Sequence, residues 1–437
     1  MFTSLSRSLL RPRADAVVPA RHAFDGWRMV WLVGLVVFFA APGMTYGNAA
    51  FVDPLTLDLG ISRSLFTLAY AIATLFSAVV LLAIGKQLDR WGSRLAMALS
   101  TVGLAVGVVW LSFASGPLWL FIGFALTRTF GQGVMPLAAR VLIPHWFLRQ
   151  RGRAFSLLGI AGTLSIATMP PVHEWLIGHL GWRTTWRLDA VWLMVFLVPM
   201  ILLFVRNRPE DISQFPDGVV PDPDAPAPLS DASSGMSLRE AMRTRAFWAL
   251  VVVSGVGMGI TSGLALNQVA IFVDLGYPGS LAALTFTVES IAMFGATILV
   301  GVWVDRVPLR YSLAISQVVL IAAMAVLLLA TSFWMGVLYA ALRGACMAVV
   351  MVATDVAWPA YFGRRHLGSI RGVGAAVGVF GTALGPLPMG IAYDSLGSYA
   401  PAIAAMALLP VLAGALMLAS RPPSLSPSSG LQPELAV

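Results

Sequence analysis

The sequence predicts an all-α membrane protein in which twelve transmembrane helices form two six-helix pseudo-repeats. Hydrophobic residues occupy 58% of the 437 positions and charged residues only 11%, whereas soluble domains carry about 25% charged residues. The mean hydropathy of +0.83 agrees with a membrane protein. Two long stretches also match each other at an offset of about 215 residues, which is typical of duplicated membrane domains.

A membrane-spanning helix needs about 20 predominantly apolar residues. The stretches that meet this requirement have the approximate limits 28–50, 64–84, 95–113, 118–143, 153–172, 187–205, 247–273, 281–303, 312–331, 334–358, 370–392 and 399–419. They divide the chain into a tail 1–26, a six-helix domain 27–205, a linker 206–246, a second six-helix domain 247–420 and a tail 421–437. Within the linker, the Pro-rich run 220–228 predicts extended chain, and Ser237 with Glu240 predicts a capped short helix.

The duplication is clearest around two arginines inside hydrophobic helices. Arg128 in the fourth predicted helix corresponds to Arg343 in the tenth. The residues that then match in the two copies are Pro144, Trp146, Phe147 and Arg149 against Pro359, Tyr361, Phe362 and Arg364. A charge at mid-membrane is costly unless it faces a polar cavity or a partner. Both arginines are therefore expected to have polar surroundings.

The net charge of +8 indicates membrane orientation and not a nucleic-acid partner. The basic residues gather in alternate loops, and the opposite loops hold only Arg63, Arg183 and Arg187. By the positive-inside rule, both termini and the linker are expected to face the cytoplasm of a bacterial inner membrane. The single cysteine, Cys346, excludes an intrachain disulfide or a cysteine metal cluster. Residues 1–26 lack the apolar core of a signal peptide.

The loop 85–94 reads GKQLDRWGSR and resembles the G-x-L-x-D-R-x-G-x-R loop of the major facilitator superfamily. Gly85 permits a tight turn. Asp89, beside Arg90, can accept hydrogen bonds from neighbouring helix ends and arginines, and so latch the halves together on the cytoplasmic side. Arg140 is the expected partner of Asp89. The alternative is a solvated turn whose charges serve only topology.

The second copy of this loop keeps Asp305 and Arg306 but has Pro308 and Leu309 in place of the later glycine and polar residue. A second and weaker latch is therefore expected there. Asp355, near the inner end of the tenth helix, is assigned to the cytoplasmic latch and not to the cavity.

Three short segments resemble the monocarboxylate-porter branch of the superfamily, which includes oxalate:formate antiporter-like proteins. They are the segments 25–27 (DGW), 145–154 (HWFLRQRGRA) and 361–372 (YFGRRHLGSIRG). The resemblance implies a carrier in which the first, fourth, seventh and tenth helices line a central cavity. It thereby places Arg128 and Arg343 in that cavity.

Two guanidiniums in one cavity could hold a carboxylate bidentately. Arg128 also begins a segment (RTFGQG) that resembles a pattern of proton-coupled carriers, so a coupling role is expected for it as well. The alternative is that both arginines are structural and are satisfied by carbonyls or amides.

Glu289 is the only glutamate well inside a predicted span. Either it takes up the coupled proton, or it is a permanent counter-ion of Arg343. Four polar residues in the first and seventh helices are expected to line the cavity and bind substrate: Tyr46, Asn48, Asn267 and Gln268. The alternative is that these four only join helices.

The sequence thus predicts a secondary active transporter that moves a mono- or dicarboxylate by alternating access, with proton symport or anion exchange. One departure from the branch is that the first and eleventh spans contain no basic residue, where its carboxylate carriers often place a lysine. The alternatives are a carrier of a neutral or aromatic nutrient such as a vitamin, a drug exporter, and a membrane sensor. A monomer is expected, with substrate, lipid and protons as partners and with no cofactor, metal or enzymatic activity.

Overall fold

The computed structural model describes residues 24–61, 63–219, 235–274, 276, 279–330 and 332–423. Within this part of the chain the structure is helical, and the elements group into twelve membrane segments, here α1 to α12. The predicted extended run 220–228, most of both predicted tails and part of the linker lie outside the described residues.

The first half contains α1 to α6. Segment α1 is broken into the pieces Gly26–Phe38, Ala41–Gly43, Thr45–Ala49 and Val52–Leu59. A helical stretch Arg63–Ser112 breaks at Gly92, with α2 before the break and α3 after it. Segment α4 comprises Pro117–Thr127, Arg128–Val134 and Met135–Trp146, α5 is Arg151–Leu180, and α6 comprises Trp182–Trp192, Leu193–Leu197 and Val198–Phe204.

The second half contains α7 to α12. These segments are α7 Arg245–Asp274, α8 Gly279–Val304, α9 Leu309–Leu328, α10 Phe333–Phe362, α11 in two pieces, Leu367–Leu384 and Leu387–Leu396, and α12 in two pieces, Ala400–Met406 and Leu408–Ala419. The predicted capping box is present before the short helix Leu238–Ala241. The Glu240 carboxylate accepts from the Ser237 N–H at 2.7 Å.

Small residues allow the helices within each half to approach closely. A Cβ added to Gly43 of α1 would lie 2.5 Å from the Cα of Gly131 in α4. In the second half, a Cβ on Gly263 of α7 would lie 2.7 Å from the carbonyl oxygen of Gly385 at the break in α11. Such contacts exclude any larger residue, because the space is already filled by backbone. The glycines of α7 and α11 therefore serve helix packing.

The two halves meet at one end of the bundle, which we call the basic end. It carries the turns at Gly92 and at residues 147–150, 305–308 and 363–366. There α11 packs on α2, and α8 and α10 pack on α5. The φ angle of Gly92 is +77°, a conformation that glycine adopts without strain. Gly85 does not form the expected tight turn, because the helix continues through it to the break at Gly92. Gly85 instead sits against the Gly368 carbonyl, where a Cβ would come within 2.7 Å.

The predicted fold class is confirmed, and α1 and α5 are among the segments that differ from their predicted shape. Segment α1 is not one continuous helix. Segment α5 continues eight residues past the predicted limit of 172, to Leu180. His173 is therefore buried inside α5, where its Nε2 lies 3.3 Å from Asp189 Oδ2.

Candidate functional site

Arg128 is a fully buried arginine held by neutral groups. Its side chain is only 1% exposed. Its Nε donates to the Thr74 hydroxyl at 3.0 Å, and its Nη1 donates to the Gly43 carbonyl and the Thr45 hydroxyl, each at 3.2 Å. Its guanidinium carbon lies 4.7 Å from the centre of the Tyr70 ring, a cation–π contact. No carboxylate pairs with Arg128 among the described residues.

Two irregular backbone segments, one in α4 and one in α1, surround Arg128. Residues Arg128–Val134 form a π-helical turn inside α4, a feature often found at functional sites. The close contact of Gly131 with Gly43 brings the broken part of α1 against this turn. The Gly43 carbonyl, which ends the 3-10 turn Ala41–Gly43 of α1, accepts a hydrogen bond from Arg128.

Arg343, the counterpart of Arg128, is also 1% exposed but is neutralised. Its Nε donates to Glu289 Oε1 at 2.8 Å, and its Nη2 donates to the second oxygen of the same carboxylate. Its Nη1 donates to Gln268 Oε1 at 2.6 Å and to the Tyr339 hydroxyl at 2.7 Å. The Gln268 amide in turn donates to the Thr285 hydroxyl at 2.6 Å. The guanidinium fork is therefore occupied by the carboxylate of its own half.

The two arginine sites occupy equivalent positions of the repeat and differ in one charge. Thr74 precedes Arg128 by 54 residues, and Glu289 precedes Arg343 by the same 54. Each accepts a hydrogen bond from the arginine Nε. The expected clamp of two free guanidiniums is therefore wrong for this conformation, because Arg343 already holds Glu289. Arg128 is left as the buried cation without a counter-ion in the described part of the chain.

The other predicted binding residues bond mainly within their own half. Tyr46 shares a 2.9 Å hydrogen bond with Ser165 of α5. Asn48 is buried and donates to two carbonyls of α1, while its Oδ1 has no partner among the described groups. Asn267 donates to the Gly263 carbonyl one turn earlier, at 2.9 Å. Of these four residues, Gln268 alone has a hydrogen bond to Arg128 or Arg343 within the part of the chain that the structure describes.

Asp89 binds the start of α11 across the two halves. Its carboxylate accepts from the backbone N–H groups of Gly368 at 2.7 Å and Ser369 at 2.9 Å, and also from the Ser369 hydroxyl. The expected partner, Arg140, is not among these donors. The first turn of a helix presents unsatisfied N–H groups and a partial positive charge, so a carboxylate that reaches it needs no arginine.

Asp305 makes the equivalent contact from the second half to the first, at the start of α5. It accepts from the N–H of Gly152 at 2.7 Å and from that of Arg153 at 3.4 Å. Partial burial raises the pKa of the Asp305 carboxyl, and the two N–H groups act against that rise. Arg90 and Arg306, which follow the two aspartates, are exposed.

Arg140 and Asp355 pair with each other between the halves. Arg140 Nε lies 3.1 Å from Asp355 Oδ2, and the second oxygen of Asp355 accepts from Arg371. The two residues are 215 positions apart, which is the repeat offset itself. Duplicated positions that face each other across a pseudo-twofold axis place like residues together. Divergence to opposite charges turns that contact into an ion pair.

Sequence reasoning missed Thr45, Tyr70 and Thr74 around Arg128, and Tyr339 and Thr285 around Arg343. Single hydroxyl side chains in apolar spans carry no distinctive signal of their own. The repeat offset could have identified Thr74, because it stands where Glu289 stands in the other copy.

Comparison with protein families places the chain in a known group. The model of the Major Facilitator Superfamily matches residues 33–269 and 261–436. A probable L-galactonate transporter of Escherichia coli is 27% identical over 284 residues, which cover 60% of this chain and 58% of that protein. Human monocarboxylate transporter 11 is 28% identical over 309 residues, which cover 68% of this chain and 61% of that protein. In both cases the match spans less than two thirds of the relative.

Among solved structures, the human organic anion transporter MFSD10 (TETRAN) resembles this chain with a TM-score of 0.67. The alignment covers 90% of this chain and 99% of that one, at 15% sequence identity. Such a likeness establishes the shared fold.

Proposed function

This chain belongs to the major facilitator superfamily of multi-pass membrane transporters, and we propose that it moves a small organic anion whose carboxylate binds at Arg128. The observation that carries the proposal is the difference between the two repeat-related arginines. Arg343 is bidentate to Glu289. Arg128 is surrounded by hydroxyls, a carbonyl and a ring.

A buried guanidinium without a counter-ion is a strong site for an anion. Hydroxyl and carbonyl dipoles solvate the charge but do not cancel it, so a carboxylate that replaces them gains charge-assisted hydrogen bonds. One uncompensated charge suits a substrate that brings one carboxylate to this site. A neutral ligand would gain nothing from that charge.

Access to Arg128 passes Thr45 and Tyr70. The Thr45 side chain is exposed, and its hydroxyl accepts from the Tyr70 hydroxyl at 3.1 Å as well as from Arg128. A carboxylate arriving at this point can displace Thr45 from Nη1 and take the bond in its place. Tyr46 and Asn48, which follow on the same broken segment, are proposed to contact the rest of the substrate, and Asn267 is proposed to do so from α7.

The named substrates of two relatives agree with this chemistry. Galactonate and monocarboxylates each carry a single carboxylate, and they appear in the names of the Escherichia coli and human relatives. For this chain we propose the bacterial inner membrane, with the basic end and both termini in the cytoplasm, because loop arginines concentrate at that end.

We further propose that the basic end is the cytoplasmic gate. Asp89 and Asp305 each bind the first turn of a helix in the other half, and the Arg140–Asp355 pair joins the halves between them. Gly85 allows the close contact with α11, and Arg90 and Arg306 add charge at the surface. All these contacts must separate for the cavity to open toward the cytoplasm, so the structure corresponds to a state closed on that side.

A ligand screen tests the substrate proposal. Galactonate, lactate, succinate and riboflavin are added to the purified protein, and the midpoint of thermal unfolding is measured. Monocarboxylates are expected to raise the unfolding midpoint of the wild type. They are expected to leave the midpoint of Arg128→Gln unchanged, because the variant lacks the charge they bind. An equal rise with riboflavin in both proteins would instead indicate a neutral ligand.

Proton coupling is proposed for Glu289, because protonation would release Arg343 from its carboxylate. Glu289→Gln is expected to keep exchange of labelled substrate across proteoliposomes. Accumulation driven by a pH gradient is expected to be lost, since the variant has no proton to gain at that position. The rate of exchange and the rate of accumulation are measured in the same vesicle preparation. Undiminished accumulation would leave Glu289 as a counter-ion only.

A further inference from the structure

A second charged site lies at the basic end, away from Arg128 and its contacts. It is a pocket of 270 Å³ between the two halves. Four arginines line it: Arg90, Arg208, Arg364 and Arg365. Two of them belong to the first half or to the linker that follows it, and two to the turn between α10 and α11.

The acidic residues of the pocket do not balance these arginines. Asp89 and Asp211 also line it, so four positive charges face two negative ones. The Asp89 carboxylate is bound to N–H groups of α11, and Asp211 accepts from the backbone N–H of Arg208 at 3.1 Å. The guanidiniums of Arg90, Arg208 and Arg365 lie on exposed side chains. The pocket therefore carries a net positive charge open to the membrane surface.

One residue that lines this pocket also carries a buried polar atom. His145 at the end of α4 lines it, and its Nδ1 is buried without a hydrogen-bond partner among the described groups. Buried ring nitrogens are normally satisfied by protein or by a bound group. Arg364, which donates to the His145 carbonyl at 3.2 Å, holds this residue in place.

We propose that the pocket binds a phosphate group, carried either by an anionic lipid headgroup or by a soluble phosphate. Arginine forks match phosphate oxygens in pairs, and basic pockets at the cytoplasmic surface of membrane proteins bind lipid headgroups. Both halves supply the lining, so the pocket is complete only while the basic end is closed. A bound phosphate thereby stabilises that state over the open one.

The test uses the full chain purified in detergent and two probes. Native mass spectrometry measures binding of phosphatidylglycerol against diacylglycerol with the same acyl chains, which lacks only the phosphoglycerol group. Titration calorimetry measures inorganic phosphate against chloride at constant ionic strength. The pocket variant is Arg90→Gln with Arg365→Gln. The matched control is Arg239→Gln with Arg243→Gln, which removes two exposed arginines outside the pocket.

Saturable binding is expected for at least one probe, with affinity about tenfold to a hundredfold lower in the pocket variant and unchanged in the control variant. Phosphatidylglycerol binding alone identifies a lipid headgroup, and inorganic phosphate binding identifies a soluble source. Circular dichroism verifies that both variants keep their helix content. A pocket variant with lysines in place of the two arginines is expected to recover part of the affinity. The proposal is overturned if neither probe saturates, or if the pocket and control variants bind equally.

Discussion

Replacing Thr74 with glutamate is expected to lower carboxylate uptake about a hundredfold or more. Position 74 stands to Arg128 as Glu289 stands to Arg343, so the new carboxylate would pair with Arg128 as its counterpart does in the second half. A substrate would then have to displace a tethered carboxylate instead of a hydroxyl. Charge-assisted hydrogen bonds contribute about 1.5–3 kcal/mol each, and two of them account for a change of this size.

The matched control is Thr74→Gln, because glutamine has nearly the same size as glutamate and no charge. It is expected to retain most of the uptake in proteoliposomes, after correction for the amount of inserted protein. A similar fall in both variants would show that bulk and not charge matters at position 74. Undiminished uptake with glutamate would exclude Arg128 as the anion site.

Much of the fold was predictable, because apolar runs of spanning length determine where membrane helices lie. The break in α1 and the π-helical turn at Arg128 were not predictable in the same way. Both lie at the contact of Gly43 with Gly131, and a contact between distant segments leaves no local pattern. The predicted limit of α5 was too short, because His173 and Glu174 interrupt the apolar run while the backbone continues as helix to Leu180.

The candidate site was predicted in part, and its errors have a common cause. Arg128, Arg343 and Glu289 were identified because charges inside spans are conspicuous. Their partners were not, because a side chain's partner depends on the facing helix. Arg140 was matched with Asp89 on charge alone. In the structure, Asp89 instead accepts hydrogen bonds from the first turn of α11. Arg140 pairs with Asp355, the residue at the equivalent position of the second repeat.

The two halves therefore share one fold but differ in the charge around their buried arginines. A carboxylate at position 289 and a hydroxyl at position 74 make one arginine neutral and leave the other charged. Duplication supplied two equivalent positions, and the difference of one side chain would separate the proposed site for an external anion, at Arg128, from a site with an internal one, at Arg343. Stability measurements can distinguish these roles.

Arg343→Gln alone is expected to destabilise the protein by about 3–5 kcal/mol, because it leaves the Glu289 carboxylate buried and unpaired. The double variant Arg343→Gln with Glu289→Gln is expected to recover most of that loss, since two amides can hydrogen-bond without charge. Arg128→Gln is expected to cost less than Arg343→Gln, because the groups around Arg128 are neutral. Midpoints of thermal unfolding in one detergent, measured without substrate, provide the comparison.

The same variants separate structure from transport. If Arg343 and Glu289 form an internal pair, the double variant should still bind a monocarboxylate at Arg128, although it accumulates none against a pH gradient. Loss of binding in a stable double variant would show that Arg343 also holds the substrate, and would restore the two-arginine clamp. A single Arg343→Gln variant as stable as the wild type would show that Glu289 is accommodated there without its partner.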